Sequence, residues 1–495
     1  MGAIQNGWLM ADLVIEKYNS VYNKIHCDTS IGYELGEYFT FQVPGARFIP
    51  AVRAKRWDGK IRMFNTGTHL IYGGVNHYIE AFAKERNYSL DYLTDFSAEE
   101  FSIEEARQFM SKLDLTMEPR DYQIEAFVHA VRQKRTLLLS PTASGKSFII
   151  FLLICYTMMQ TKGKALIVVP TTSLVHQMVS DFASYTNNEF LKEMSHKIMY
   201  GYDIETDRRV IVSTWQSIYK MPKKWFEQFS AVIGDEAHLF KAKSLSGILS
   251  KMIDCDYRFG FTGTLDGTQT HKLILEGLFG AVKKVTTTAE LIEQKHLANL
   301  NIKCIVLKYT DQERESMKKA TYQDEIDWIV RHDGRNKFIK NLTLSLKGNT
   351  LVLYQFVEKH GKVLYSMFDN TNRNVTIVHG EVDSLVREDV RRLAEENNDM
   401  IIIASYGTFS TGVNIKNLHN IIFASPSKSR IRNLQSIGRG LRKSETKLEA
   451  TLYDISDDLT WKTHKNHTIL HFAERIKIYG EEQFEYKIYT VKLKG

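Results

Sequence analysis

SPTASGKS, at residues 140–147, follows the apolar run 136–139 and precedes the apolar run 148–159, so it reads as a strand, a glycine-containing turn and a helix. That is the setting of a phosphate-binding loop. Backbone N–H groups of the turn and the positive end of the helix dipole converge there on the β- and γ-phosphates of a nucleotide. Gly145 lets the backbone approach, Lys146 places a cation on those phosphates, and the Ser147 hydroxyl can hold a magnesium ion. The first position of the usual G-x-x-x-x-G-K-[ST] pattern is Ser140, not glycine, and for the loop alone a polar strand-to-helix turn is the plain alternative.

The downstream sequence argues against that alternative. Asp235-Glu236-Ala237-His238 lies beyond the apolar run 231–233, so two carboxylates project from the end of a second strand. An NTPase uses both: Asp235 to hold magnesium and Glu236 to orient and polarise the attacking water.

At 495 residues the chain is long enough for about three domains. With 43% apolar and 25% charged residues and only 7 prolines it should be globular throughout. A net charge of +7 is compatible with a polyanionic partner and equally with an ordinary basic enzyme. Cys27, Cys155, Cys255 and Cys304 are scattered without metal-ligand spacing and read as buried thiols of a reducing compartment. No apolar run approaches a membrane span, and the first ten residues lack the cationic start of a leader, so a soluble intracellular protein without a membrane partner is expected.

Residues 1–116 read as a small α+β module. Arg47, Arg53, Lys55, Arg56, Lys60 and Arg62 are interleaved there with Phe48, Trp57 and Phe64, and Asp58-Gly59 between short alternating segments signals a hairpin turn. Two readings stand side by side. Either Arg53, Arg56, Trp57 and Lys60 grip phosphates and stack on bases, or the aromatics face a small core and the cations are merely solvated. Helices are expected along Val75, Tyr78, Ile79 and Phe82 and over 103–113.

From 117 to 285, strand-like runs at 165–169, 210–213, 231–233 and 257–261 alternate with helical patterns, which predicts a parallel sheet covered on both faces. Shortly before the phosphate loop, Gln123 offers the donor and acceptor that an adenine edge demands, and the Arg120 guanidinium can lie on the purine face. Several strands end in small polar residues: Pro170-Thr171-Thr172-Ser173, Thr214-Trp215-Gln216-Ser217 and Thr262-Gly263-Thr264. Each can hold a sugar-phosphate backbone, or simply cap a helix.

From 286 to 455 the alternation repeats, with runs at 302–307, 350–354, 375–378, 400–404, 420–424 and 450–453. In Gln435-Ser436-Ile437-Gly438-Arg439-Gly440-Leu441-Arg442, the two arginines lie one helical turn apart, suited either to neutralising charge on a γ-phosphate or to a solvated face. Residues 456–495 add a helix at 469–478 and an alternating run at 484–493, which pack on this region, contact DNA, or both.

Gln123 with Arg120, SPTASGKS, VVPTTSL, STWQS, DEAH, TGT, STGVN and QSIGRGLR, in this order, resemble the full motif series of superfamily 2 helicases and translocases, over roughly two thirds of the chain. RWDGKIRMFN and ASYGTFSTGVNIKNLH extend the similarity to the UvsW-type DNA helicases of T-even-like phages. The resemblance implies two RecA-like lobes in tandem, 117–285 and 286–455, behind a nucleic-acid-binding module at 1–116, with ATP and Mg2+ as cofactors. It implies hydrolysis by Lys146, Asp235, Glu236, Gln435, Arg439 and Arg442. Nucleotide contacts are expected from Arg120, Gln123, Thr142, Ser144, Gly145, Lys146, Ser147 and Gly412, and metal contacts from Ser147 and Asp235. Strand contacts or coupling are expected from Thr171, Thr214, Gln216, Thr264 and Thr411. The implied activity is ATP-driven remodelling of forks, Holliday junctions and RNA–DNA hybrids by a monomer in the host bacterial cytoplasm, alongside single-strand-binding or recombination proteins. A motor subunit of a restriction or repair complex, an RNA helicase, and an annealing protein with a vestigial ATPase are the rival readings.

Overall fold

The computed structural model describes residues 11–199, 201–241, 243–265, 268–369, 371–382, 384–412, 415, 417–425, 429–441 and 449–493. Two compact units make up the chain, and apart from the four loop residues Pro141–Ser144, everything before Thr286 belongs to the first.

The first unit opens with a small α+β module. Its strands are β1 (Leu13–Lys17), β2 (Tyr22–Cys27), β3 (Thr40–Gln42), β4 (Lys60–Arg62), β5 (Phe64–Asn65), β6 (Leu70–Tyr72) and β7 (Leu90–Tyr92). Five of them form a sheet in the order β5-β6-β2-β1-β7, while β3 and β4 pair separately and antiparallel. The helix Asn76–Arg86 buries Ile79 and Phe82 in a core with Leu13, Ile15, Ile25 and Phe64, as its spacing predicts. The hairpin expected at Asp58-Gly59 is not formed. Pro50 opens a short helix, Pro50–Arg53, where a first strand was expected, and β4 pairs with the earlier β3. Proline has no N–H for a ladder and a backbone angle suited to the first turn of a helix, which decides against the strand.

The rest of the first unit is an all-parallel sheet of β8 (Arg135–Leu139), β9 (Lys164–Val169), β10 (Ser195–Ile198), β11 (Val210–Thr214), β12 (Phe229–Asp235), β13 (Tyr257–Thr262) and β14 (Val282–Lys284). Their order is β10-β11-β9-β12-β13-β8-β14. Successive residues of β9 feed opposite cores: Ala165, Ile167 and Val169 pack with the helix Lys146–Gln160, whereas Leu166 and Val168 pack with Ile248 and Phe279. A sheet buried on both faces requires such continuous apolar strands. The helix Lys146–Gln160 is itself buried from Phe148 to Thr157, which explains its unbroken apolar run. The edge strands β10 and β14 were not expected from sequence, because SHKI and VKK are short, half-exposed and carry little apolar signal.

The module is fastened to this sheet through the helix Gln269–Phe279. Leu273 enters the module core, Tyr78 donates to the buried Glu276 carboxylate at 2.7 Å, and a Cβ on Gly74 would stand 1.9 Å from the Glu276 carbonyl oxygen. At the other end, the Ser20 N–H donates to the Ile253 carbonyl (2.8 Å) and its hydroxyl to Asp256 (2.6 Å).

The second unit carries another all-parallel sheet: β15 (Asn299–Lys308), β16 (Thr350–Tyr354), β17 (Val375–Val378), β18 (Ile401–Ser405), β19 (Asn420–Phe423), β20 (Glu449–Asp458) and β21 (Tyr486–Lys492). Their order is β17-β18-β16-β19-β20-β15-β21. β20 runs past Ile455, the helix His467–Glu481 follows, and β21 pairs in parallel with β15 along the sheet edge. The segment after Ile455 therefore packs on the second lobe. Buried ion pairs stitch it there: Arg475 to Asp454 at 2.8 Å, with Tyr479 also donating to that carboxylate, and Arg335 to Asp457 at 2.7 Å, with Tyr309 as a further donor. Among the described residues no helix is long and apolar enough to cross a membrane.

Candidate active site

Parallel strands put all their carboxyl ends on one edge, so the loops after β8, β9, β11, β12 and β13 gather there without being adjacent in sequence. The phosphate-loop strand β8 lies beside β13, and β13 beside β12, which brings the TGT and DEAH segments next to SPTASGKS. The Ser140 N–H donates to the Thr262 carbonyl (2.9 Å), tying the loop to the end of β13. Within the loop the Ser144 hydroxyl donates to the Pro141 carbonyl (2.7 Å), and the Lys146 ammonium lies back on the Ser140 carbonyl (3.3 Å). Gly145 has φ +80° and starts the helix Lys146–Gln160, a left-handed conformation that glycine adopts without strain. Its missing side chain also makes room: a Cβ there would lie 2.4 Å from Gln123 Nε2. Two expected nucleotide residues are thus in contact.

Gln123 is buried, and its Oε1 accepts the Arg120 N–H (3.0 Å). The Arg120 guanidinium donates to the Tyr122 hydroxyl (2.8 Å) and sits 6.0 Å from the Tyr122 ring centre. The guanidinium thus reaches the hydroxyl edge of that ring. The Ser147 hydroxyl is paired with the Tyr185 hydroxyl at 2.6 Å. Neither tyrosine carries a sequence signal.

Asp235 ends β12 and is 8% exposed. Burial, and then the adjacent Glu236 charge, push its carboxyl up to about 6, while the Lys146 cation and the Glu236 N–H (2.9 Å) pull the other way. Such a carboxylate is short of positive charge. With the Ser147 hydroxyl it offers the hard oxygen donors that fit Mg2+, an ion bound through one or two carboxylates together with nucleotide phosphates. Glu236 adopts a left-handed φ of +50°, which turns it away from the strand direction. His238 Nδ1 lies 3.4 Å from Glu236 Oε2 and 3.0 Å from Thr262 Oγ1, and Thr262 Oγ1 in turn donates to the Thr264 carbonyl (2.9 Å). Because the threonine proton is spent on Thr264, Nδ1 of His238 is the donor. His238 therefore stands between the Glu236 carboxylate and the TGT segment.

The strand-end threonines are less directly presented. Thr171 caps the helix Thr172–Ser184 by accepting the Leu174 N–H, Thr214 is buried and paired with Ser217 (3.0 Å), and Thr264 is buried with its N–H turned to Thr262. Gln216 is exposed. In the second lobe Thr411 and Gly412 end the helix Tyr406–Gly412, while Gln435, half-buried, and Arg439 belong to the helix Arg430–Gly440. The side chains of Thr411 and Arg439, and Arg442 entirely, lie outside the described residues.

In the module, Arg47, Arg53, Lys55, Arg56, Lys60 and Arg62 are all exposed. Phe64 is core, Trp57 is half-buried with its Nε1–H on the Lys60 carbonyl (3.0 Å), and Phe48 is 70% exposed beneath the Arg47 guanidinium at 4.8 Å. The cations therefore face water. Of the three aromatics interleaved with these cations, Phe48 is the exposed one, which the sequence does not single out from its neighbours.

Three family models match the chain: the res subunit of type III restriction enzymes over 116–267, the N-terminal region of the DNA helicase UvsW over 12–92, and the helicase conserved C-terminal domain over 334–444. The ATP-dependent DNA helicase uvsW of Enterobacteria phage T4 is 35% identical over 97% of this chain and 100% of its own length. The DNA 3'-5' translocase XPB2 of Sulfurisphaera tokodaii is 22% identical over 68% of this chain and 81% of its own. The crystal structure of T4 UvsW superposes with a TM-score of 0.52 at 34% identity, covering 98% of this chain and all of the other. Identity at that level over the whole length, together with the two RecA-like lobes and the N-terminal module, shows that the chain belongs to the UvsW family of ATP-dependent DNA helicases.

Proposed function

We propose that this helicase remodels branched DNA, regressing forks, migrating Holliday junctions and unwinding RNA–DNA hybrids in phage replication, recombination and repair. The observation that carries the reading is the exposed cationic surface at 46–62, with Phe48 at its edge, on a module fastened to the first lobe by Gly74, Tyr78 and Leu273. A duplex arm held there while the motor draws a strand puts two grips on one branch.

In this reading 1–116 is the DNA-binding module, 117–285 and 286–455 are the two lobes, and 456–495 completes the second sheet. Arg120, Gln123, Gly412 and the loop residues Thr142, Ser144, Gly145, Lys146 and Ser147 hold ATP. Ser147 and Asp235 would hold Mg2+, which would supply charge neutralisation at the β- and γ-phosphates when bound. Glu236 orients the attacking water, and His238 ties its position to Thr262 at the end of β13. Lys146 withdraws charge from the phosphates, and Gln435, Arg439 and Arg442 support the same reaction. Thr171, Thr214, Gln216 and Thr411 grip the strand, and Thr264, being buried, couples. The enzyme acts as a monomer in the host cytoplasm beside single-strand-binding or recombination proteins.

The test is ATPase rate and strand separation on matched single-strand, duplex, fork, four-way-junction, RNA–DNA hybrid and duplex-RNA substrates. Preference for forks and junctions, lost in Arg53→Ala/Arg56→Ala/Lys60→Ala, is expected. Equal action on all duplexes would leave a simple translocase, the reading closer to the restriction-type motors.

A further inference from the structure

Between Leu459 and Phe472 the sequence is LTWKTHKNHTILHF, with two lysines, three histidines and a tryptophan but no acidic residue. None of the helicase motifs uses this stretch. It leaves the carboxyl end of β20, and because the second sheet is all parallel, that end shares an edge with the end of β18, where the helix Tyr406–Gly412 begins. Three strand spacings separate the two, roughly 14 Å along the edge.

The stretch is built rather than loose. Trp461 and His464 exchange both backbone hydrogen bonds (3.1 and 3.0 Å), closing a two-residue turn with Lys462 in the left-handed region at φ +53°. Asn466 is buried beneath the turn, its Oδ1 accepting the Leu459 N–H (3.0 Å) and its amide donating to Glu325 (2.7 Å). That buried Glu325 carboxylate also accepts the N–H groups of His467 (2.8 Å) and Thr468 (2.7 Å), and Arg314 donates to the Thr460 carbonyl (3.1 Å). Lys462, Thr463, His464, Lys465 and His467 all face solvent. Several other lysines of this lobe face a carboxylate, as in Lys318–Glu315, Lys337–Asp333 and Lys362–Glu358, while others, such as Lys340 and Lys347, stand without one among the described residues. Lys462 and Lys465 have none within ion-pair distance among the described residues. A buried carboxylate spent on holding a loop, and a lysine held left-handed at its tip, fix the position of cations that no internal anion uses.

We propose that the turn 461–467 is a second-lobe nucleic-acid contact, in which Lys462 and Lys465, flanked by His464 and His467, hold the sugar-phosphate backbone of a DNA strand along the carboxyl edge of the sheet. Phosphate oxygens are the partner that paired ammonium groups on a rigid turn fit, and such contacts position a strand without reading its sequence. The proposal rests on the DNA-helicase family and not on branched-substrate preference, so a chain without fork preference leaves it standing.

The test uses the full chain with Lys462→Asn and Lys465→Gln, since asparagine tolerates the left-handed conformation. Binding of fluorescein-labelled oligothymidylate is followed by anisotropy over a salt series. Two lost phosphate contacts should flatten the slope of log K against log salt by roughly 1.4 and weaken binding roughly 25-fold near 0.1 M salt. ATPase activity without DNA and the thermal melt should not move. The Lys462→Arg/Lys465→Arg chain should restore both slope and affinity. An unchanged slope and affinity in the neutralised chain, or an equal loss in the arginine chain, would overturn the proposal.

Discussion

Gly74→Ala tests how firmly the N-terminal module is held to the first lobe. A Cβ at this position would stand 1.9 Å from the Glu276 carbonyl oxygen and 2.9 Å from both the Gly277 oxygen and the Gly280 nitrogen. These are backbone atoms at the end of a helix, so no side-chain rotation can make way. Reaching an ordinary carbon–oxygen separation of about 3.3 Å means moving two packed elements apart by more than an ångström, and overpacking of this kind costs about 3 kcal/mol where neither side can yield. The displacement would also stretch the 2.7 Å hydrogen bond from Tyr78 to the buried Glu276 and open the seat of Leu273. Hydrogen exchange read by mass spectrometry over 70–82 and 269–281 reports the opening directly, and a 3 kcal/mol loss corresponds to roughly 100-fold faster exchange there. Exchange over 350–354 and 401–405, in the second sheet, should not change. Strand separation should fall while single-strand-stimulated ATPase persists, because the nucleotide loop is untouched. Wild-type exchange in both segments would show that the module does not rest on Gly74 and would refute the reasoning.

Three further outcomes follow from the described geometry. Asp235 titrates near 6 in the fold against an ordinary 3.8, so the folded state holds its proton more tightly than the unfolded chain. Above pH 6 the ionised carboxylate therefore disfavours the fold, and Asp235→Asn should stabilise the nucleotide-free protein at pH 7.5 by about 3 kcal/mol, a gain that closes as the pH falls towards 4, while ATPase is lost; an unchanged or lower melt at pH 7.5 contradicts the burial argument. Lys146→Ala and Glu236→Gln should each lower DNA-stimulated ATPase by at least about 100-fold with DNA affinity retained in anisotropy titrations, and full activity in either would remove the assigned roles. Asp457→Asn leaves the Arg335 guanidinium buried without its counter-ion and should destabilise the second lobe by about 3–5 kcal/mol in urea unfolding followed by hydrogen exchange, whereas a change within experimental scatter would mean that the pair contributes little.

Much of the architecture is readable from local pattern. Continuous apolar runs between turn signals mark the central strands β9, β12, β16 and β18, because a parallel sheet covered on both faces leaves no polar alternation to obscure them. The edge strands β10 and β14 lack that burial and hence that signal. The helix Lys146–Gln160 and the turn before it follow from the glycine, the lysine and the apolar run, all contiguous in the chain.

Contacts between residues far apart in sequence are another matter. The phosphate loop, the DEAH carboxylates and the TGT segment are each legible as motifs, but that His238 bridges Glu236 and Thr262 is decided by β12 and β13 lying side by side. Ser147 pairs with Tyr185 and Arg120 with Tyr122 for reasons no spacing rule contains. The basic stretch at 46–62 was visible as composition, yet its expected hairpin gave way to the helix Pro50–Arg53, because β4 found its partner in β3 and proline suits a helix start. Which aromatic ring stands out to meet a base is likewise tertiary: Phe64 is claimed by the module core and Phe48 is not. Local periodicity and short motifs determined the elements and the chemistry each could carry, since both depend on neighbours along the chain. Packing alone decided which side chains meet, because burial and hydrogen-bond partners are set by strand order and by the approach of distant backbone.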